Sequence, residues 1–186
     1  MKIFLTGHIG VGKTTVCKKL LSKLKKNKFN CAGIVTPKTP DGNIKAYDIK
    51  SNTSTMLAFL KGNIGDKKIN VSGDKLDGPI IGKYFFTHQG IEFGNNAICS
   101  GIDSDVLFID ELGQLELNNK GFTKAVKVIN FKKAGNIIVV VRKSLLSLYI
   151  KKLNCKLNNY CILEINEDNR DKMPAKIYEL ITAKNL

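Results

Sequence analysis

The stretch GHIGVGKTT, residues 7–15, follows a short apolar run, KIFLT at residues 2–6, and precedes a segment whose apolar residues recur at helical spacing. From Gly7 to Thr14 it fits the spacing G-x-x-x-x-G-K-[ST]. In this pattern, glycines let successive backbone N–H groups point into one concavity that suits phosphate oxygens, and the following helix adds its partial positive charge. The order of strand, glycine-rich turn and helix therefore predicts a phosphate-binding loop.

The predicted loop gives a role to each of its residues. Lys13 can reach the β- and γ-phosphates of a nucleoside triphosphate, where we also expect it to be catalytic, and the Thr14 hydroxyl can ligate Mg²⁺. The alternative, a glycine-rich turn without a ligand, is disfavoured because the match has a strand before it and a helix after it. The residues that we expect to surround the phosphates are Gly7, His8, Ile9, Gly10, Val11, Gly12, Lys13, Thr14 and Thr15.

Two acidic residues, Asp110 and Glu111, follow the apolar run VLFI at residues 106–109. In phosphate-loop proteins, an aspartate at a strand end holds the Mg²⁺ shell, and a directly following glutamate is well placed to activate the attacking water as general base. Because successive side chains of a strand point to opposite faces, we expect different positions for the two carboxylates. The sequence predicts Asp110 as a metal ligand together with Thr14, and Glu111 as the catalytic base. Two solvated acids at a strand end are the alternative.

Three further polar residues are candidates for the same site. Arg142 ends the apolar run NIIVVV at residues 136–141. It is either a catalytic residue that stabilises charge at the γ-phosphate or a capping or surface arginine. Gln114 either orients water or belongs to a surface loop. Gln114 and Glu116 are the next candidates for the base if Glu111 is not the base.

Strand-like and helix-like segments alternate along most of the chain, which predicts an α/β domain over residues 1–186 with three layers and a mainly parallel sheet. NIIVVV lacks the polar alternation of a half-exposed strand, as expected for a strand covered on both faces. Residues 43–87 break the alternation and predict an antiparallel addition, with a loop at 61–79. Strands are predicted at residues 2–6, 29–36, 43–50, 55–60, 83–87, 106–110, 136–141 and 160–165, and helices at 13–27, 89–101, 119–133, 144–153 and 168–185.

Composition restricts the class of protein. The 186 residues are 43% hydrophobic and 25% charged, which is an ordinary globular balance. No apolar run approaches the roughly 20 residues of a membrane-spanning helix, and the N-terminus lacks the pattern of a signal peptide. We therefore expect a cytoplasmic protein without a membrane partner. No two of the five cysteines form a C-x-x-C pair, so we expect reduced, mostly buried thiols rather than a zinc site. The cysteines are Cys17, Cys31, Cys99, Cys155 and Cys161.

The formal net charge of +14 comes almost entirely from lysine, since arginine occurs only at Arg142 and Arg170. A charge of this size can indicate a nucleic-acid partner. The lysines are scattered, however, and no aromatic residues interleave with them to stack on bases. A solvated lysine surface is the favoured interpretation, and nucleic-acid binding is left open but disfavoured.

Together these segments resemble a family of small nucleoside-triphosphatases first characterised from thermophiles, also called cancer-related nucleoside-triphosphatases. The resemblance covers nearly the whole chain and implies a three-layer α/β P-loop fold with a mainly parallel sheet and an antiparallel strand appendage. The chain departs from the family pattern at two places. One is residues 37–40, where the family often has a glutamate and an arginine, and the other is the pair Gln114 and Leu115. The segments that carry the resemblance are GHIGVGKTT (7–15), AGIVTP (32–37), GNIKAYDI (42–49), TMLAF (55–59), IGKYFF (81–86) and IDELGQLEL (109–117).

The resemblance implies hydrolysis of ATP, GTP and other nucleoside triphosphates to diphosphate and phosphate, with the Mg²⁺ that the two predicted metal ligands would hold. Two alternatives stay open. One is a nucleotide or small-molecule kinase, although two arginines are few for a kinase lid. The other is a nucleotide-dependent nucleic-acid-binding module. The sequence predicts neither the base preference nor the oligomeric state.

Overall fold

The computed structural model describes residues 1–63, 77–131, 135–153 and 160–183. The strands of these residues are β1 (Lys2–Thr6), β2 (Cys31–Val35), β3 (Ile44–Asp48), β4 (Thr53–Leu60), β5 (Ile80–Ile81), β6 (Tyr84–Phe86), β7 (Val106–Leu112), β8 (Asn136–Val141) and β9 (Tyr160–Glu164). The helices are α1 (Lys13–Lys26), α2 (His88–Cys99), α3 (Gln114–Leu117), α4 (Thr123–Phe131), α5 (Leu146–Lys152) and α6 (Met173–Thr182). Single 3-10 turns occur at Lys61–Asn63 and Lys143–Leu145.

All the described strands belong to one sheet, in the order β5-β6-β4-β3-β2-β7-β8-β1-β9. From β2 to β9 in this order, neighbouring strands pair in parallel. The strands β3, β4, β6 and β5 continue the sheet in antiparallel pairs on the side of β2. This order confirms the predicted α/β fold, with its parallel sheet and its antiparallel addition.

Helices cover both faces of the parallel strands. In β8, Ile138 and Val140 pack into the cluster that contains the apolar residues of α1 and α6. The alternate residues Ile137 and Val139 pack on the opposite face with residues of α2, α4 and α5. Every residue of β8 is buried, which is the physical reason for its continuous apolar run. The three predicted layers are therefore present.

The order of the strands determines where chemistry can take place. Strand β8 lies between β1 and β7, and the register pairs Val140 with Leu5 and Val139 with Ile109. The carboxyl ends of these three parallel strands consequently lie side by side. Ligands of open α/β sheets bind at such an edge. The loop that follows β1, the acidic end of β7 and the arginine that follows β8 are brought to this one edge.

The region around α4 differs from its prediction. The helix expected at 119–133 begins only at Thr123, because Asn119 and Gly121 have φ of 55° and 65°, which a right-handed helix does not contain. The short helix α3 precedes it and was not predicted, since a four-residue segment shows no periodicity. Residues 132 and 133 of the predicted helix lie outside the described residues.

The last helix also begins later than predicted, at Met173 instead of residue 168. The Asn166 N–H donates to Oδ1 of Asn169 at 3.0 Å, and the Asn169 N–H donates to Oδ1 of Asn166 at 2.9 Å. This reciprocal pair fixes a turn before the helix. Pro174 then lies in the first helical turn, where its missing N–H costs no helical hydrogen bond. Residues 184 and 185 of the predicted helix lie outside the described residues.

Other expectations are met in part. The loop predicted at 61–79 lies mostly outside the described residues, and the two-residue strand β5 next to it was not predicted. Cys17 and Cys31 are buried, Cys161 is partly exposed and Cys99 is exposed, so the expectation of mostly buried thiols is met only in part. Cys155 lies outside the described residues. None of the described helices combines the length and the apolar character that crossing a membrane requires.

Candidate active site

The glycine-rich loop joins β1 to α1. Gly10 and Gly12 have φ of 83° and 107°, in the left-handed region that favours glycine. Gly12 is also the N-cap of α1 and offers no side-chain acceptor to the first amide groups of the helix. Those amides have no intrahelical acceptor and so remain available for phosphate oxygens.

Lys13 is the first residue of α1, and its side chain points back to the loop. It is only 7% exposed, and its Nζ donates to the carbonyl oxygens of Gly7 at 3.0 Å and His8 at 2.8 Å. Burial lowers the pKa of the Lys13 ammonium, while Glu111 and Asp110 oppose this shift. The ammonium is thus held at the edge of the loop by two neutral carbonyl groups, which an anionic phosphate can replace.

Asp110 is a buried carboxylate in β7, with 1% of its surface exposed. Its Oδ2 accepts a hydrogen bond from the backbone N–H of Thr36 at 3.2 Å, just after β2. Burial raises the pKa of Asp110 to about 6 and Glu111 adds to the rise, whereas hydrogen bonds from the Thr14 side chain and the Thr36 amide, and the Lys13 charge, lower it.

The two predicted metal ligands are neighbours, because the Asp110 carboxylate interacts with the Thr14 side chain. Mg²⁺ takes oxygen ligands, commonly one or two from the protein with phosphate and water oxygens completing the set. No group of three or more His, Cys, Asp or Glu that could hold a metal occurs in the described parts of the chain. A carboxylate beside a hydroxyl at a phosphate loop fits Mg²⁺ bound together with a phosphate.

Glu111 occupies a different environment from Asp110. The pairing of β7 with β8 is irregular between Ile109 and Leu112, so Asp110 and Glu111 lie where the strand is no longer regular. Oε1 of Glu111 accepts from Nε of Arg142 at 2.8 Å, and the two side chains are 28% and 41% exposed. Both residues line a cleft beside the loop. The predicted base is therefore paired with the predicted catalytic arginine.

The cleft has a volume of about 630 Å³ and extends from the loop across the ends of β2 and β7 to the β5–β6 hairpin. Gly7 does not line it, because this residue is buried against the residue that follows β9, where a Cβ would lie 2.5 Å from the Ile165 carbonyl oxygen. His8 and Val11 are also outside its lining. The predicted phosphate-binding residues that do line it are Ile9, Gly10, Gly12, Lys13, Thr14 and Thr15.

Glu116 has a role that the sequence prediction missed. It is buried, its Oε2 accepts from the Gly113 N–H at 2.8 Å, and its Oε1 accepts from the Phe122 N–H at 2.8 Å. Burial raises the pKa of Glu116, and these amides oppose the rise. The carboxylate therefore fixes the loop after β7. The spacing G-x-x-E at the start of a helix could have indicated the first of these two bonds, while Gln114 remains exposed at the edge of the cleft.

Helix α5 holds the same loop from the other side. The Tyr149 hydroxyl donates to the Gly113 carbonyl at 2.5 Å. Lys152 Nζ donates to the carbonyl oxygens of Glu116 at 2.8 Å and Leu117 at 3.0 Å, at the end of α3. The loop that continues from Glu111 is thus positioned by hydrogen bonds that are buried or partly buried.

The substitution Glu116→Gln tests this role. Its amide group can accept from only one of the two N–H groups, so we expect the free energy of unfolding to fall by about 1–3 kcal/mol. Urea denaturation of the parent and the variant measures this. Glu92→Gln, at an exposed position of α2, is the control and should change stability by less than about 0.5 kcal/mol. Equal stability of Glu116→Gln and Glu92→Gln would contradict the role.

Comparison with known proteins gives a consistent result. The family model described as NTPase matches residues 2–178. The chain is 30% identical over 180 residues to nucleoside-triphosphatase THEP1 of Methanosarcina barkeri, with 95% of each chain covered. It is 29% identical over 189 residues to the protein of the same name from Methanocaldococcus jannaschii, with 98% of each chain covered.

Two solved structures have the same fold. THEP1 from the hyperthermophile Aquifex aeolicus aligns with a TM-score of 0.70 and 23% identity, over 97% of this chain and 99% of that chain. A human cancer-related nucleoside triphosphatase aligns with a TM-score of 0.69 and 21% identity, over 98% of this chain and 97% of that chain. The match of the family model and the relatives over nearly the full length confirms the resemblance found in the sequence, and the chain belongs to the NTPase family.

Proposed function

We propose that the protein hydrolyses nucleoside triphosphates, ATP and GTP among them, to nucleoside diphosphates and phosphate in the cytoplasm, with Mg²⁺ as cofactor and residues 1–186 as one catalytic domain. Membership of the NTPase family supports this activity. The observation that carries the proposal is the convergence of Lys13, Asp110 and the Glu111–Arg142 pair at one edge of the sheet.

Binding of the triphosphate begins at the loop. Its amides and the N-terminal end of α1 accept the negative charge of the phosphates, and the Lys13 ammonium exchanges its two carbonyl acceptors for β- and γ-phosphate oxygens. Thr14 and Asp110 would hold Mg²⁺, which neutralises charge on the phosphates when bound. Binding of cations beside Asp110 also favours its ionised form, which burial disfavours.

Hydrolysis then needs a base and a group that stabilises charge on the γ-phosphate. Glu111 lines the cleft and takes a proton from the attacking water. Arg142 uses Nε to hold the Glu111 carboxylate. A guanidinium has five N–H donors, so its terminal groups can bind the γ-phosphate while Nε keeps the base in place. This arrangement favours the catalytic interpretation of Arg142 over a surface role.

The phosphate site is tested with Lys13→Ala. Loss of the ammonium removes charged hydrogen bonds, so we expect the affinity for Mg·ATP and Mg·GTP to fall by about 10–100-fold or more, with the fold retained. Lys19→Ala is the matched control, because Lys19 lies on the same helix and pairs with Asp171 at the surface. The parent, given a nucleoside triphosphate alone, should form the nucleoside diphosphate and release free phosphate. A folded Lys13→Ala variant that binds both nucleotides as tightly as the parent would refute the assignment.

Arg142→Ala tests the arginine. We expect kcat to fall by about 10²–10³-fold, as for the loss of one donor to transition-state charge, and Arg142→Lys to recover part of the rate. Steady-state phosphate release measures both. Lys143→Ala is the control, since Lys143 follows Arg142 but pairs with Glu164 at the surface. If Arg142→Ala keeps a rate within about threefold of the parent, where loss of such a donor costs far more, Arg142 has the capping or surface role.

A further inference from the structure

The cleft extends well beyond the residues proposed for phosphate chemistry. Past Glu111 it continues towards the antiparallel strands and ends at the β5–β6 hairpin. We call this outer part the distal arm. Its apolar walls are formed by Ile44, Leu57, Ile81, Tyr84, Phe86 and Ile91. Apart from the Tyr84 hydroxyl, which can donate a hydrogen bond, these side chains offer no group that binds phosphate or takes a proton from water, so hydrolysis does not account for the apolar walls.

The walls of the distal arm are held in place by the sheet and by α2. Tyr84 pairs with Leu60 of β4 and with Ile81 of β5. Tyr84 and Phe86 are two residues apart on β6, so their rings lie on the same face. The Thr87 hydroxyl donates to the Met56 carbonyl at 2.8 Å and accepts from the Gly90 N–H at 2.9 Å, which ties the start of α2 to β4. An apolar cleft with two aromatic rings on one wall is suited to a planar apolar ring.

The charges around the distal arm favour an anion. Lys38 and Lys83 line the cleft, and in the described residues neither forms an ion pair with a carboxylate. Lys83 Nζ lies 5.9 Å from the centre of the Tyr84 ring. The carboxylates of the lining, Glu111 and Glu116, are already bound by Arg142 and by backbone amides. The excess positive charge is therefore available to a ligand.

We expect the nucleoside part of the nucleotide to extend from the loop in the direction away from Glu111 and the distal arm. Backbone amides of such a loop bind the α- and β-phosphates, while the lysine reaches the β- and γ-phosphates. The γ end is therefore the one that faces Glu111 and the distal arm. At the start of α1, a Cβ on Gly12 would lie 3.7 Å from Cδ of Arg170, in the segment after β9. No described residue of that segment lines the cleft.

We propose that the distal arm binds a second small molecule, an anion with a planar apolar ring, while nucleotide occupies the phosphate loop. The direction of the nucleotide rests on the proposed function, whereas the binding of the anion rests on the walls and charges of the arm alone. The aromatic wall and Lys83 recognise the ring and the charge. The bound molecule lies on the Glu111 side of the γ-phosphate, next to the position of the attacking water.

The experiment uses 1-anilinonaphthalene-8-sulfonate, a fluorescent anion with apolar rings, titrated into the 186-residue chain with and without saturating Mg·ADP. We expect one saturable site with the same affinity in both cases. Tyr84→Ala should weaken binding about fivefold because one of the two aromatic rings of the wall is lost. Lys83→Gln should weaken it about threefold, and less at high salt.

Two variants on α4 are the matched controls, because their side chains lie outside the cleft. Phe131 is 71% exposed and Lys127 is exposed. Phe131→Ala and Lys127→Gln should leave the affinity of the probe unchanged. Thermal melting of all four variants separates loss of the site from loss of the fold, and Lys83→Gln, at an exposed turn, changes charge without removing an apolar side chain.

Competitive displacement of the probe by Mg·ADP would overturn the proposal, because the arm would then belong to the nucleotide site. Unchanged binding in folded Tyr84→Ala and Lys83→Gln would also overturn it, as would weaker binding in Phe131→Ala. The Lys13→Ala variant separates this proposal from the hydrolase. It should lose nucleotide and keep the probe, so a failure at one site is distinguishable from a failure at the other.

Discussion

The buried carboxylate of Asp110 is the constraint on which the rest of the site depends. Folding removes water from this group and raises its pKa to about 6. The groups that offset the burial come from different parts of the chain: the Thr36 amide after β2, and Thr14 and Lys13 at the start of α1. They can meet only because β2, β7, β8 and β1 are consecutive in the sheet. The sheet therefore places cationic and hydrogen-bonding groups around a carboxylate that is suited to a metal bound with phosphate.

The sequence predicts the elements of this site well where a local pattern encodes them. Glycine spacing indicates the loop, and a run of apolar residues that ends in two acids indicates β7. The second bond of Glu116 has no such pattern, because the Phe122 N–H that donates it follows a left-handed turn at Gly121. The pairing of Arg142 with Glu111 likewise depends on β8 lying next to β7. Contacts between distant segments require the tertiary structure, and the short elements α3 and β5 contain too few residues for a period.

The net charge of the chain does not show how the surroundings of the individual lysines in the cleft differ. Most lysines of the described residues are exposed, as expected for a solvated surface. Lys13 is an exception, because it is buried and lies near two carboxylates. Lys38 and Lys83 differ again, since they line an apolar cleft whose carboxylates are already bound. In the proposed mechanism, charge acts on the phosphates at one end of the cleft, and at the other end it is available to the second anion that we propose.

In the proposed mechanism, Glu111 is the general base and Arg142 holds it in position. The most direct measurement compares kcat and nucleotide affinity of Glu111→Gln with those of the parent at saturating Mg²⁺. The amide keeps the shape of the side chain and can still accept from Arg142, but it cannot take a proton. We expect kcat to fall by about 10²–10⁴-fold while the affinity for nucleotide stays within about threefold of the parent. A Glu111→Gln variant that hydrolyses nucleotide within about threefold of the parental rate, where a positioned base contributes far more, would contradict this mechanism.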